Sequence, residues 1–185
     1  MAEQEGGRRR LRGFESVGDM VRSLAVVLGA VLVILLITLR PHPNPVKVVD
    51  ATEARQAAAA VATFKAADPA HPPSGWRLTS ARFTPAAVSP SGFSVWHLGW
   101  VTKGGRYAAL EQSDGPADPL IESVLTAPVD AGPGTGAFAG WERWTGQASS
   151  WQAYVKTTGS TTLVLFGSAN DAELASLAGS LQPSS

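Results

Sequence analysis

The chain has 185 residues, with 15 Lys and Arg against 15 Asp and Glu, so its formal net charge is zero. A balanced charge argues against a nucleic-acid binder, which carries a clear basic excess. The absence of cysteine excludes disulfides, thiolate metal sites and a cysteine nucleophile, and 19 Gly with 13 Pro point to a fold rich in turns.

Residues 24–39 read LAVVLGAVLVILLITL, with Thr38 the single polar side chain. Extended back to Met20, the run is 20 residues, about 30 Å of helix, the thickness of a bilayer's hydrocarbon core. Arg22 inside that stretch can snorkel to the headgroups. Arg8, Arg9, Arg10, Arg12 and Arg22 precede the apolar run, and only Arg40 and Lys47 follow closely. The positive-inside rule therefore places residues 1–19 in the cytoplasm and everything after the helix outside. No small-x-small cleavage pattern follows the run, so it reads as an uncleaved anchor at 20–39 rather than a signal peptide.

Residues 40–49 form a Pro-rich, extended spacer before a domain at 50–182. Asp50 and Glu53 make a capping-box pattern ahead of a predicted helix over 51–65, and DPAHPPSG then reads as a loop. Strands are predicted at 76–83, 93–102 and 107–112, the last two joined by a turn at Lys103-Gly104-Gly105-Arg106, where both glycines would supply positive φ. A short helix at 118–125 carries Pro119 in its first turn. The Gly-rich loop 130–140 leads to a strand holding Trp141 and Trp144, then strands at 151–157 and 161–168 around a Thr158-Gly159-Ser160 turn. A last helix opens at Asn170 with Glu173 as its capping-box partner and ends near Leu181, and Pro183 starts a frayed tail.

The second half overlays the first with a shift of 55 residues, which sets Trp96 on Trp151, Thr102 on Thr157, Gly104 on Gly159 and Leu110 on Leu165. The order strand–strand–strand–helix thus occurs twice. The fold expected is α+β: an N-terminal transmembrane helix, then an antiparallel sheet with helices packed on one face.

The segments GDMVRSLAVVL, SGWRLTSARF, HLGWVTKGGRYAALEQSDG and GSANDAELASLAGSL together resemble the actinobacterial membrane family known as domain of unknown function 4245, over about Asp19 to Leu181. That resemblance implies a topology and a bacterial setting and supplies no catalytic residues. The duplicated order also looks like the Mog1/PsbP type of sandwich, a likeness of architecture alone.

Chemistry is sparse in the sequence. His42, His71 and His97 have no metal-ligand spacing, GPGTG at 132–136 lacks the Lys-Ser/Thr of a P-loop, and no nucleophile elbow or triad emerges from spacing. No catalytic residue, metal or cofactor is therefore assigned. Glu111, Asp114 and Glu142 read as residues of solvated sheet faces and turns. Six Trp crowd between residues 76 and 151. The strand 93–102 and its partner offer Trp96, Trp100, Tyr107 and Glu111 as candidate ligand-binding residues, aromatic anchors with a polar rim. The competing assignment puts Trp96 and Trp100 in the core beneath the helices.

Two functions follow. The first is a non-enzymatic envelope protein, held in the lipid bilayer by residues 20–39, whose outer domain binds an envelope protein or ligand and no nucleic acid. The alternative is an envelope hydrolase acting on glycan or lipid. It needs a cleft that gathers Glu111, Asp114, Glu142 or His97.

Overall fold

The computed structural model describes residues 12–38, 47–147 and 150–183, and the chain divides into two compact units, 1–45 and 46–185. The first contains helix α1, Arg12–Thr38. Its stretch Gly18–Leu36 is 19 residues long with a mean hydropathy of 2.3, and none of it is buried. By length and composition this helix can cross a membrane. The helix begins before the predicted span, while residues 1–11 of the tail, Leu39 of the span and residues 40–46 of the predicted 40–49 spacer lie outside the described residues.

The second unit is built on a seven-stranded antiparallel sheet. Its strands are β2 (Arg77–Thr84), β3 (Val95–Val101), β4 (Tyr107–Ser113), β5 (Pro128–Pro133), β6 (Glu142–Gly146), β7 (Gln152–Thr158) and β8 (Thr161–Gly167). In space they run β2-β3-β4-β8-β7-β6-β5. Two three-stranded meanders, β2-β3-β4 and β6-β7-β8, meet back to back along β4 and β8, with Leu110 paired to Leu165. These are the two leucines that the repeat superimposes, so the duplication in the sequence is a pseudo-twofold in the strands.

The repeat differs by one residue in its hairpins. The second closes through Gly159-Ser160 between the paired Thr158 and Thr161. The first closes from Thr102 to Arg106, with Gly105 N–H bonded to the Thr102 carbonyl and Gly105 at φ +77°. A turn followed by one left-handed residue is the usual three-residue hairpin loop. Only Gly105, not Gly104, has positive φ. Because of the extra residue Leu98 pairs with Leu110 where Tyr154 pairs with Leu165. The counterpart of Trp96 is therefore Gln152, and Trp151, one position off, belongs to the opposite face.

Helix α2 (Thr52–Val61) is shorter than expected and stops where Ala62 turns extended. The capping box does not form there. Instead the Asp50 carboxylate accepts from both the backbone N–H and hydroxyl of Thr52. Helix α3 spans Ala117–Val124, and α4 spans Asp171–Ser180, with the predicted capping box between Asn170 and Glu173 fully formed. Two short strands were not predicted, β1 (Ala67–Pro69) and β9 (Leu181–Pro183), which pair with each other. Asp68 and Pro69 open the stretch DPAHPPSG that reads as a loop in the sequence, and Pro183 starts the expected tail. The start of the Gly-rich loop is likewise the edge strand β5.

The helices occupy both faces of the sheet, not one. On the first face α2 and α4 bring Ala58, Leu174 and Leu177 onto Trp96, Leu98, Trp100, Leu110, Tyr154 and Leu165. On the second, α3 sets Leu120, Ile121 and the following Leu125 on Ala109, Ala153, Val155, Val164 and Phe166. The alternation of Ala108, Ala109 and Leu110 between the two clusters is the period-two geometry of a strand with both sides covered.

Candidate functional site

Trp96 and Trp100 are 0% and 2% exposed. They are core residues of the first face, and this removes them from the ligand-binding set. The Trp96 indole N–H donates to the Ala67 carbonyl at 2.8 Å. Gln112, directly opposite Trp96 on β4, accepts from Ala67 N–H at 2.6 Å and donates to the Lys65 carbonyl at 3.0 Å. Together the two side chains bond the backbone of Lys65 and Ala67 and fasten β1 over the core. Of the other Trp, Trp76 and Trp141 are half-buried against the same core, and Trp144 and Trp151 against the second.

The polar run after Glu111 also turns inward. Asp114 accepts from Ser94 N–H at 2.8 Å and from the Thr63 hydroxyl at 2.7 Å, and Ser113 accepts from Gly115 N–H at 3.0 Å. Glu142 stands on β6 with its surface exposed and is not part of this group. Of the carboxylates considered for acid–base chemistry, only Glu111 meets His97.

That meeting lies on the second face at the β2–β4 end of the sheet. His97 and Glu111 are a directly opposed cross-strand pair, Nδ1 to Oε1 at 3.1 Å, with 6% and 8% exposure. Glu111 is thus buried, contrary to its reading as a solvated residue. Its other oxygen accepts from the Ser123 hydroxyl of α3 at 3.4 Å. On the far side of the ring, Nε2 lies 2.9 Å from Ser80 Oγ on β2 and 3.4 Å from the Tyr107 hydroxyl. Arg82, opposite His97 on β2, is exposed beside them.

Local backbone features make this constellation. The register of β2 against β3 shifts between Leu78 and Ser80, so Thr79 is an extra residue whose hydroxyl donates to the Gly99 carbonyl. The bulge keeps Leu78 and Ala81 on the core face and sets Ser80, rather than Thr79, opposite Gly99 on the His97 face. At Gly99 any side chain would collide with the Tyr107 hydroxyl and Ser80 Oγ, so the missing Cβ lets them converge on the imidazole.

The protonation pattern follows from the partners. A carboxylate only accepts, so Nδ1 carries the proton toward Glu111, and Nε2 of the neutral ring is an acceptor for a hydroxyl. Burial pushes the Tyr107 phenol up, opposed by its Ser80 hydrogen bond and Arg82 and reinforced by the Glu111 charge. It stays an O–H donor at neutral pH. Around it, the Tyr107 ring stacks on Trp151 with centroids 5.5 Å apart and meets the Phe166 edge at 6.4 Å, which gives the polar group an aromatic wall.

The arrangement connects a hydroxyl, an imidazole and a carboxylate, with the buried acid on β4 inside the sheet and the hydroxyl on the edge strand β2. Sequence spacing had given no triad. Its members come from three neighbouring strands, and a one-residue bulge chooses which hydroxyl joins. Of the four residues singled out from sequence, the structure brings Tyr107 and Glu111 together and sends Trp96 and Trp100 to the core. Ser80 carries no sequence signal at all. Among the described residues no three His, Cys, Asp or Glu side chains gather closely enough to hold a metal ion.

The structure is that of an apolar helix followed in the chain by an α+β domain whose seven-stranded antiparallel sheet joins two meanders edge to edge through β4 and β8. The chain belongs to the family described as protein of unknown function (DUF4245), which it matches over residues 12–181. No curated protein matches it.

Proposed function

We propose that this is a single-pass membrane protein of the bacterial envelope, with a cytoplasmic N-terminus and an outer α+β domain that works as a binding module. The observation that carries the proposal is the Gly18–Leu36 stretch, whose apolar side chains are all exposed beside an N-terminal excess of arginine. An apolar surface of that extent in water exceeds what soluble monomers tolerate, and a bilayer accounts for it. The ligand surface we assign to the outer domain is the half-buried Tyr107 and Trp151 stack with the Ser80, His97 and Glu111 group behind it. A reporter active only in the cytoplasm, fused after Ser185, is expected to be silent, while the same reporter fused at the N-terminus is active. The reverse pattern would overturn the orientation.

A second reading, hydrolysis on the outer face of the membrane, is favoured by one observation. The hydroxyl–imidazole–carboxylate line of Ser80, His97 and Glu111 has the connectivity used in acyl transfer, with Oγ at Nε2 and the carboxylate at Nδ1.

A further inference from the structure

Resting on the hydrolytic reading, we propose that Ser80 is a nucleophile toward compact carboxylic esters, with His97 as its base, Glu111 as the positioning residue and Tyr107 as the donor to the oxyanion. Several independent features of the structure converge on this assignment.

The first is order. Ser80 Oγ is 2.9 Å from Nε2, and Glu111 Oε1 is 3.1 Å from Nδ1, so the three groups lie in the sequence hydroxyl, base, acid. Because the carboxylate fixes the Nδ1 proton, the Nε2 lone pair faces Ser80 and can take its proton. The second is the burial gradient. Glu111 and His97 are buried, where a carboxylate–imidazole hydrogen bond is strong, while Ser80 is half-buried on the edge strand β2 with exposed Arg82 two residues on. The group that must meet a substrate is the one that solvent reaches.

The third is the donor. The Tyr107 hydroxyl shares Nε2 with Ser80 at 3.4 Å, and both hydroxyls fill the space over Gly99. When Ser80 attacks, a protonated phenol at that position donates to the oxygen that gains charge, and the nearby Arg82 cation favours the same charge. The substrate class follows from the position of Ser80. Ser80 sits on a sheet edge beside an aromatic ring pair, a place for a small acyl group. The cavity of about 310 Å³ lined by Lys65, Ala67, Gln112, Leu181 and Gln182 belongs to the Gln112 side of the sheet, not to this site.

The chemistry balances without a further reactant except water. Ser80 Oγ bonds to the ester carbonyl carbon and its proton passes to Nε2. The C–O bond to the alcohol breaks, and that oxygen takes the proton from Nε2. Water then attacks the acyl-serine, delivers a proton to Nε2, and Ser80 recovers it as the carboxylic acid leaves.

The test uses the full chain in detergent with a fluorophosphonate probe, and p-nitrophenyl acetate as the ester. One probe per chain is expected, on Ser80 by peptide mapping, together with ester turnover. Ser80→Ala is expected to abolish both while its melting temperature stays close to that of the parent. Glu111→Gln is expected to lower kcat by about a hundredfold or more with KM little changed, a split that mere loss of packing does not produce. Tyr107→Phe is expected to lower kcat by at least about tenfold while probe labelling still maps to Ser80. A folded wild-type chain that neither labels nor turns over the ester would overturn the proposal and the hydrolytic reading together. Turnover that survives Ser80→Ala, or a label on another residue, would overturn the Ser80 assignment and leave the hydrolytic reading standing.

Discussion

On the face of the sheet beneath α2 and α4, the central strands β3 and β4 present Trp96, Leu98, Trp100, Ala108 and Leu110, and the one polar side chain, Gln112, is spent on the backbone of residues 65–67. The other face is divided. Under α3 it is apolar, with Val155, Val164 and Phe166, but toward β2 it carries Ser80, Tyr107 and Glu111, each hydrogen-bonded to His97. Burying such a group in place of aliphatic side chains gives less stability per residue, because desolvation offsets most of what the hydrogen bonds return. An apolar face holds the fold together. A polar cluster buried in the same sheet departs from the most stable choice.

That contrast can be broken by mutation, and the largest effect is expected on the apolar face. Trp96→Ala empties a fully buried indole site and orphans the Ala67 carbonyl, and is expected to destabilise by about 3–5 kcal/mol in urea unfolding of the full chain in detergent. A loss below about 1 kcal/mol would show that the first face is not the principal core. Gly99→Ala is expected to cost about 1–3 kcal/mol by overpacking, and to displace Tyr107 and Ser80 from His97. The His97 ring resonances should move in the NMR spectrum of this variant, whereas Trp96→Ala leaves them near their original positions.

Smaller effects sharpen the comparison at the helix that closes the apolar face. Asn170→Ala removes the side chain that accepts from Glu173 N–H and is expected to cost about 1 kcal/mol. Glu173 also has a pH signature. Burial alone would raise its carboxyl, but the hydrogen bonds from Arg106, the Asn170 backbone and Thr102 outweigh this and hold it below its ordinary value of 4.5. A depressed folded value means that the contribution is fully present above the unfolded value and is lost as pH falls through the folded one. Thermal unfolding should therefore show a small stability loss on acidification below about pH 4.5 that Glu173→Gln removes. An unchanged slope in that variant would show that the Arg106 pair, 2.9 Å long and partly exposed, contributes nothing to the cap.

Much of this structure follows from local rules that a sequence displays. The apolar run, the Asn170–Glu173 cap, the hairpin turn at Gly105 and the alternation along β3 each depend on residues a few positions apart, so α1, α4 and the six strands β2–β4 and β6–β8 are legible from residue order. The repeat superimposes Leu110 on Leu165, but that the two pair across β4 and β8 came only with the structure.

The faces were a different matter. A strand shows its period in sequence but not which neighbour lies across the ladder, and a single extra residue exchanges the faces of everything beyond it. The one-residue difference between the two hairpins put Trp151 with Tyr107 instead of in the place of Trp96, and the bulge at Thr79 brought Ser80 to His97. The strands β1 and β9 carry almost no local signal, since two three-residue strands with a proline in each form a ladder only because Trp96 and Gln112 hold the chain there and Leu181 packs on the core. Residue order is enough to specify an apolar helix long enough to cross a bilayer and an α+β domain of two like halves. Tertiary structure alone decided that α3 lies opposite α2 and α4, that Trp96 and Trp100 are core, and that Ser80, His97 and Glu111 stand in line, because cross-strand register is a property of pairs of strands and not of either strand alone.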